Sequence, residues 1–588
     1  MDKEFLPEKR TLKLNARNKF ITVVLIASLL LAGGFSFIKL SGGFYTNTVC
    51  SGVTPHHLLA RDVIDNFFKY ASEHSNPDTI IILSPDHFEK YVLFGYKFIT
   101  AKSKKLYGIR IDTNLSSKLS VNNPIAFSDA AIAMDHGVMN LVPFVKKYFP
   151  KSEIVPFLIP PMINYSTLNE FTESLNNLTS KRTLVIASVD FSHYLPETVA
   201  DLHDVMSIRT LINFDSANFD KIEVDSWQAL YVARYFAKLR GKEHPHIIAH
   251  KNANDYAKNT TLYSTTSYFS VAFSKGKSGD LFKDTKTFIF VGDIMLGRNV
   301  ESLIEKNRPL YPFEKTSRVL SGVDFTVGNL EGPISETPVK FPPGSLKFCF
   351  GENAVQGLIK SHFNLLSLAN NHTLDAGEKG LNETRNILKR SGINFVEDPM
   401  EANPKFAFIK NNVVFLSFNT INVSDYGKIF ETIKTIRKEN PHKFIIVIFH
   451  WGFEYEKKSA TIQHYLAHKA MDSGADLIIG SHPHVVQEIE LYKPKGAKEE
   501  KLIFYSLGNF IFDQYFSKET QEGLAVGLEL SKDKEVFRLF PLQSKLSQVE
   551  LMHKTDAKAF LVNLSEISDK RLQNEIKNGI IVIKRNGG

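Results

Sequence analysis

Short apolar runs that stop abruptly at histidine, aspartate, asparagine or glutamate recur along this chain, and they constrain its fold more than any other feature. Residues 476–479 form such a run, and GSHPHV (480–485) follows at once, presenting His482 and His484. A short apolar run that ends in a polar loop reads as a buried strand whose carboxyl end opens into a crevice. A chain built from many such units, with helical stretches between them, folds as parallel-rich sheets covered by helices.

Between 287 and 545 the pattern repeats. The strand at 287–291 leads to Asp293, 324–328 to Asn329 and Glu331, and 365–369 to Asn370, Asn371 and His372; 444–449 leads to His450 and Glu454. Helical spacing fills 378–391 and 460–473. The carboxyl edge of one sheet then gathers carboxylates, amides and imidazoles, enough for two divalent ions, and a donor set without thiolate suits Mn, Fe or Zn. Two such ions can activate a water and clamp a phosphoryl group. Polar strand ends also arise by chance, but so many in one region argue for a site.

The stretch 50–275 shows the same alternation. TPHH carries His56, SPDH carries His87, MDHG carries His136, and SVDFSHY carries Asp190 and His193. Each residue alone reads as a loop or capping group; together they point to a second cluster. The polar stretch 276–286 reads as a linker, and 546–588 as a charged helical appendage that ends in a short apolar strand. Cys50 and Cys349 are too few for a disulfide framework or a cysteine-rich zinc site.

At the amino terminus, basic residues in 1–19 precede an uncharged apolar run, so 20–40 is expected to be an uncleaved transmembrane anchor. This places a basic tail inside, and both α/β domains outside a cell membrane, on a single-pass protein. The net charge of +8 comes from scattered lysines without a recognition motif, so nucleic acid is not expected as a partner.

TPHH, SPDH, DHG followed by LVPF, SVDFSHY and SYFSVAF resemble, in that order, the Memo-like proteins (AmmeMemoRadiSam system protein B), which share the fold of class III extradiol dioxygenases. The resemblance implies a single metal on His56 and His87, with His136, Asp190 and His193 nearby. The family's cysteine ligand is absent, and Asp225 stands where it would be expected. GDIMLGR, GNLEGP, LANNHTLD, FHWGFEY, GSHPHV and YSLGNFIFDQ resemble the CapA family of poly-γ-glutamate capsule synthesis proteins, whose domain is similar to calcineurin-type metallophosphoesterases. That resemblance implies a metal shell of Asp293, Glu331, Asn371, His450, His482 and His484. It makes His372 the proton donor, with Asn371 beside it, and leaves Asn329, Glu454, Tyr505, Asn509 and Asp513 in support. Met295 stands where the phosphoesterases carry a further histidine.

The expected function is therefore metal-dependent hydrolysis or transfer at a cell surface, in capsule or poly-γ-glutamate synthesis, with capsule synthesis proteins and an anionic polymer as partners. The alternative from another class is a non-catalytic extracytoplasmic module that binds and guides such a polymer.

Overall fold

The computed structural model describes residues 48–585, apart from 89–94, 96, 258–263, 278–281, 343–344, 399–404, 422 and 424. All of them lie in the compact unit Asn47–Gly588. The membrane span expected over 20–40 falls outside the described residues, and among the described residues no helix is long and apolar enough to cross a membrane. The fold class is accordingly corrected to mixed α/β with no membrane-crossing helix among the described residues, and single-pass placement with both domains outside the membrane has no support.

In the first half, a nine-stranded sheet runs in the order His244–Asn252, Thr265–Ser274, Ser51–Thr54, Thr183–Ser188, Thr79–Pro85, Glu153–Ile159, Phe98–Thr100, Ile125–Phe127, with Phe191–Leu195 paired to Thr265–Ser274. The strands Ser51–Thr54, Thr183–Ser188, Thr79–Pro85 and Glu153–Ile159 are mutually parallel neighbours, so their carboxyl ends share one edge. Their residues are apolar on both faces because helices such as Arg61–His74 and Trp227–Leu239 cover the sheet.

The second half departs from the single sheet expected. Two sheets stack. One, nine-stranded, is centred on Lys286–Ile294, flanked by Phe325–Leu330 and, antiparallel, by Glu522–Leu530; the other, six-stranded, contains Val413–Asn419, Phe444–His450, Leu477–Ser481 and Lys501–Phe504 in parallel. The period-two alternation of each strand explains the layers. Phe288 and Phe290 point into the core between the sheets, where they meet Phe415 and Ile446, while Ile289 and Val291 face the helices behind. Likewise Ile446 and Ile448 face the first sheet, and Ile445 and Val447 pack against the outer helices. Strands Gln548–Leu551 and Ile580–Lys584 both pair with Lys534–Lys545 and extend the nine-stranded sheet.

The helix Glu197–Asn213 joins the halves. Its residues Val199, Ala200 and Leu202 are buried in the second half's core, and Met206 and Leu211 in the first half's. Arg209 on this helix forms a buried two-pronged pair with Asp324, both N–O distances 2.7 Å, and also donates to the Thr285 carbonyl.

Candidate metal centres

In the second half the site forms where the carboxyl ends of the two stacked sheets meet. Asp293 closes its strand with Asn329 as its partner on one side and Asn509 on the other. Asn329 Nδ2 donates to Asp293 Oδ1 (2.8 Å), and the His482 backbone N–H donates to Asp293 Oδ2 (3.1 Å). His484 places Nδ1 3.3 Å from the same Oδ2 and Nε2 3.7 Å from Glu331 Oε1. Ligand-type atoms of Asp293, Glu331 and His484 all lie within 4.8 Å of one another, and all three residues are buried.

Glu331 is fully buried, yet neither carboxylate oxygen has a hydrogen-bond partner. Burying an ionised group without partners is expensive, so this pocket calls for positive charge. The titration behaviour says the same. Burial pushes Glu331 well above the usual carboxylate range, with the Asp293 carboxylate adding to the shift and His484 opposing it. Burial alone would lower His484, but the Glu331 and Asp293 carboxylates outweigh it and hold the imidazole up at about 9. A proton occupies the place where a cation of higher charge would fit.

Beside this trio stands a second group. His450 Nε2 lies 2.7 Å from Asn371 Oδ1 and 3.1 Å from His482 Nδ1, and its Nδ1 lies 3.1 Å from Ser481 Oγ. Burial and then His482 drive His450 well below its ordinary range; burial and then His484 lower His482 to about 4. Both rings are therefore neutral at pH 7 and have nitrogen lone pairs for an ion. His482 (φ 95°) and His484 (φ 59°) both adopt left-handed backbone, which costs roughly 1–3 kcal/mol each and marks a site that the surrounding fold holds in place. The glycine before this loop is forced by packing: a Cβ at Gly480 would lie 2.0 Å from the Tyr505 carbonyl oxygen.

His372 faces the pair from the other side. Its Nε2 is 3.8 Å from Glu331 Oε1, and its Nδ1 is 2.7 Å from Asp375 Oδ2. The Phe348 ring covers it at 4.1 Å between centroids, and the Arg298 guanidinium carbon sits 4.8 Å from the same Phe348 ring, bound to Asp513. Asn509 Oδ1 is 3.0 Å from His484 Nδ1. The Glu454 charge acts on Glu331, His482 and His484.

Tyr505 is not brought in: its hydroxyl bonds His464 and Glu490 instead. Met295 turns into the core, where its sulfur accepts the Gly297 N–H. Sequence reasoning missed Asp375 and Arg298. Asp375 was visible as the carboxylate three residues after His372 in LANNHTLD; Arg298 ends GDIMLGR, but nothing in sequence says that it stacks on Phe348.

The first half builds its own cluster on the shared strand edge. His56 follows Ser51–Thr54, His87 follows Thr79–Pro85, and Asp190 follows Thr183–Ser188. The ring of His56 lies 5.0 Å from those of His87 and His136, and those two are 3.8 Å apart. His56 Nε2 also lies 3.4 Å from Asp190 Oδ2 and 3.5 Å from Asp225 Oδ2, so one imidazole belongs to two ligand-type groups. His87 Nδ1 is held by Asp135 at 2.7 Å, and Asp135 also accepts from Ser84 Oγ and the Val138 N–H. A Cβ at Gly137 would lie 2.0 Å from Ser84 Oγ, which accounts for the glycine of the DHG motif. Burial, followed by His87, lowers His56 to about 3 and His136 to about 4; burial raises Asp190, and burial and Asp190 raise Asp225 well above the carboxylate range. His193 reaches the edge of this cluster, where burial lowers it to about 4 against the pull of Asp190.

Residues 287–514 match the family described as bacterial capsule synthesis protein PGA_cap, and residues 50–261 match the Memo-like protein family. The PGA biosynthesis protein CapA of Bacillus subtilis (strain 168) is 31% identical over 271 residues, 42% of this chain and 69% of that protein. The chain belongs to the PGA_cap family. The capsule biosynthesis protein CapA of Bacillus anthracis is 30% identical to this PGA_cap chain over 267 residues, 40% of the chain and 62% of the relative. For the Memo-like half, a MEMO1 family protein of Caldivirga maquilingensis is 22% identical over 243 residues, 39% of the chain and 84% of that protein.

Proposed function

We propose that this PGA_cap chain acts in capsule or poly-γ-glutamate synthesis as a metal-dependent hydrolase or transferase, with its reacting centre between Asp293, Glu331, His372, His450, His482 and His484. The observation that carries the reading is Glu331, a fully buried carboxylate with both oxygens unpartnered, facing Asp293 and His484. The names of the two CapA relatives support the pathway.

The donors fit a divalent ion. Asp293, Glu331 and His484 would hold one, and Asn371, His450 and His482 would serve a second; carboxylates, an amide oxygen and imidazoles favour Mn, Fe or Zn. Bound there, such ions supply Lewis acidity and a more acidic water. The chain's own residues do the rest. Asn329 fixes the Asp293 carboxylate. Asp375 holds His372 Nδ1 and so orients Nε2 toward the centre, where it can deliver a proton to a leaving oxygen or nitrogen. Phe348 shields that ring, and Arg298 offers a cation to an anionic chain. In the Memo-like half, His56 and His87 with His136 or Asp225 would hold a single ion.

A second reading, a polymer-binding module without catalysis, is favoured by Arg298, whose side chain is 34% exposed, and by Met295, which supplies no ligand. The test is elemental analysis of the metal-reconstituted chain beside the His482→Ala, His484→Ala double variant, with phosphoesters and γ-glutamyl amides assayed in parallel. Bound metal and hydrolysis that both fall in the variant, with polymer binding kept, support the enzyme. A metal-free chain after reconstitution with Mn, Fe and Zn overturns it and leaves the binding module.

A further inference from the structure

A third cluster lies away from both strand-edge centres. The helix Thr461–Asp472 carries His464 and His468 one turn apart, on the face that meets the strand Ile489–Tyr492. Residues at i and i+4 project from one side of a helix, so both imidazoles reach the same neighbour. That neighbour is Glu490. Its Oε1 lies 2.9 Å from His468 Nε2 and its Oε2 lies 3.4 Å from His464 Nδ1. One ligand-type atom from each of the three lies within 4.8 Å of the others, a spread that a single ion with bonds of about 2.0–2.1 Å could draw together. We propose that His464, His468 and Glu490 form a separate binding site for a divalent transition metal of the zinc type, clamping this helix to the six-stranded sheet.

The surroundings support a ligand set. His464 Nε2, the nitrogen turned away from Glu490 Oε2, lies 3.0 Å from Ser459 Oγ, which in turn donates to Glu488. Metal-ligating histidines are typically fixed by such an outer hydrogen bond on their second nitrogen. His468 is fixed by stacking on Tyr492, with centroids 4.1 Å apart and planes 10° from parallel. The buried Tyr505 hydroxyl donates to Glu490 Oε2 at 2.6 Å and lies 2.7 Å from His464 Nδ1, so an ion on that nitrogen would replace its proton and its bond to the tyrosine. The three residues are part-exposed, which gives an ion a path in and leaves a fourth position for water. Tyr465 stands where helical two-histidine hydrolases carry a glutamate base, so the set fits a structural or regulatory ion better than a catalytic one.

The test uses the full chain, stripped with a chelator and reloaded with Zn(II) alone, with Co(II) as a spectroscopic probe of tetrahedral binding. Zinc content is compared among the native chain, the His464→Ala, His468→Ala double variant and Glu490→Gln, which keeps an acceptor for Tyr505 and so guards against simple misfolding. The expected result is a loss of about one equivalent per chain in each variant. The same loss is expected in the His482→Ala, His484→Ala background, so that the proposal stands or falls apart from the hydrolase reading. Glu490→Gln, or a folded double-histidine variant, that retains the native zinc content would overturn it.

Discussion

The two strand-edge centres are made from the same materials and differ in how far they satisfy themselves. In the first half, Asp135 is used up by His87, Ser84 and the Val138 N–H, and Asp190 accepts the His56 N–H. In the second half, Glu331 accepts nothing, and His484 is held protonated beside it. The first pocket leaves one buried oxygen bare, Asp225 Oδ1, whereas the second leaves both oxygens of Glu331 so. A carboxylate buried with both oxygens bare is the more expensive of the two to keep without a ligand. The contrast teaches that similar strand-end motifs can differ widely in their demand for a cation, and it ranks the PGA_cap centre ahead of the Memo-like one.

The sharpest way to break this ranking is Glu331→Ala. Removing one partner from a buried charged set costs about 3–5 kcal/mol, so metal affinity of the second centre should fall on the order of 10²–10³-fold, read by titration with Zn(II) or Mn(II). An unchanged affinity would erase the distinction. Next, His372→Ala should lower kcat on the order of 10²-fold while metal content stays constant, separating proton delivery from ion binding. In the Memo-like centre, Asp135→Asn loosens His87 without removing a ligand and should weaken any bound ion by about tenfold.

The smallest effect is on pH. His484 is raised from 6.5 to about 9, so in the metal-free protein its proton stabilises the fold fully below pH 6.5, and that contribution is lost as pH rises through about 9. A metal must displace this proton, so affinity at the second centre should climb with pH across that window. His56 and His136, lowered to about 3 and 4, carry no proton there, so at the first centre the imidazoles add no such slope and any pH dependence must come from Asp190 and Asp225, which burial raises. Binding isotherms at a series of pH values check both.

Much of this was legible in sequence because strand-end chemistry is local. The run before GSHPHV predicts a strand, and a strand end predicts where His482 and His484 stand. What sequence hides is which strands become neighbours. Asp293 and His450 end strands in different sheets, and only the stacking of those sheets brings their motifs to one place. Tyr505 shows the opposite error. It belongs to a motif next to the site, but period-two alternation and a buried carbonyl contact turn its hydroxyl toward His464 instead. The His464 and His468 pair went unnoticed because its third member, Glu490, lies in a different element and no motif links them.

The helix Glu197–Asn213 has one more consequence. Because one side of it completes the Memo-like core and another side completes the PGA_cap core, neither half owns it. Cutting the chain in the polar stretch near 280 would leave the second half missing a wall and the first half with an apolar ridge facing water. Joined this way, the halves resemble a mortise and tenon more than beads on a string. An ancestor that once expressed them separately could not have been restored by a single cleavage, so gain or loss of the Memo-like half would have to proceed through intermediates that re-cover this helix.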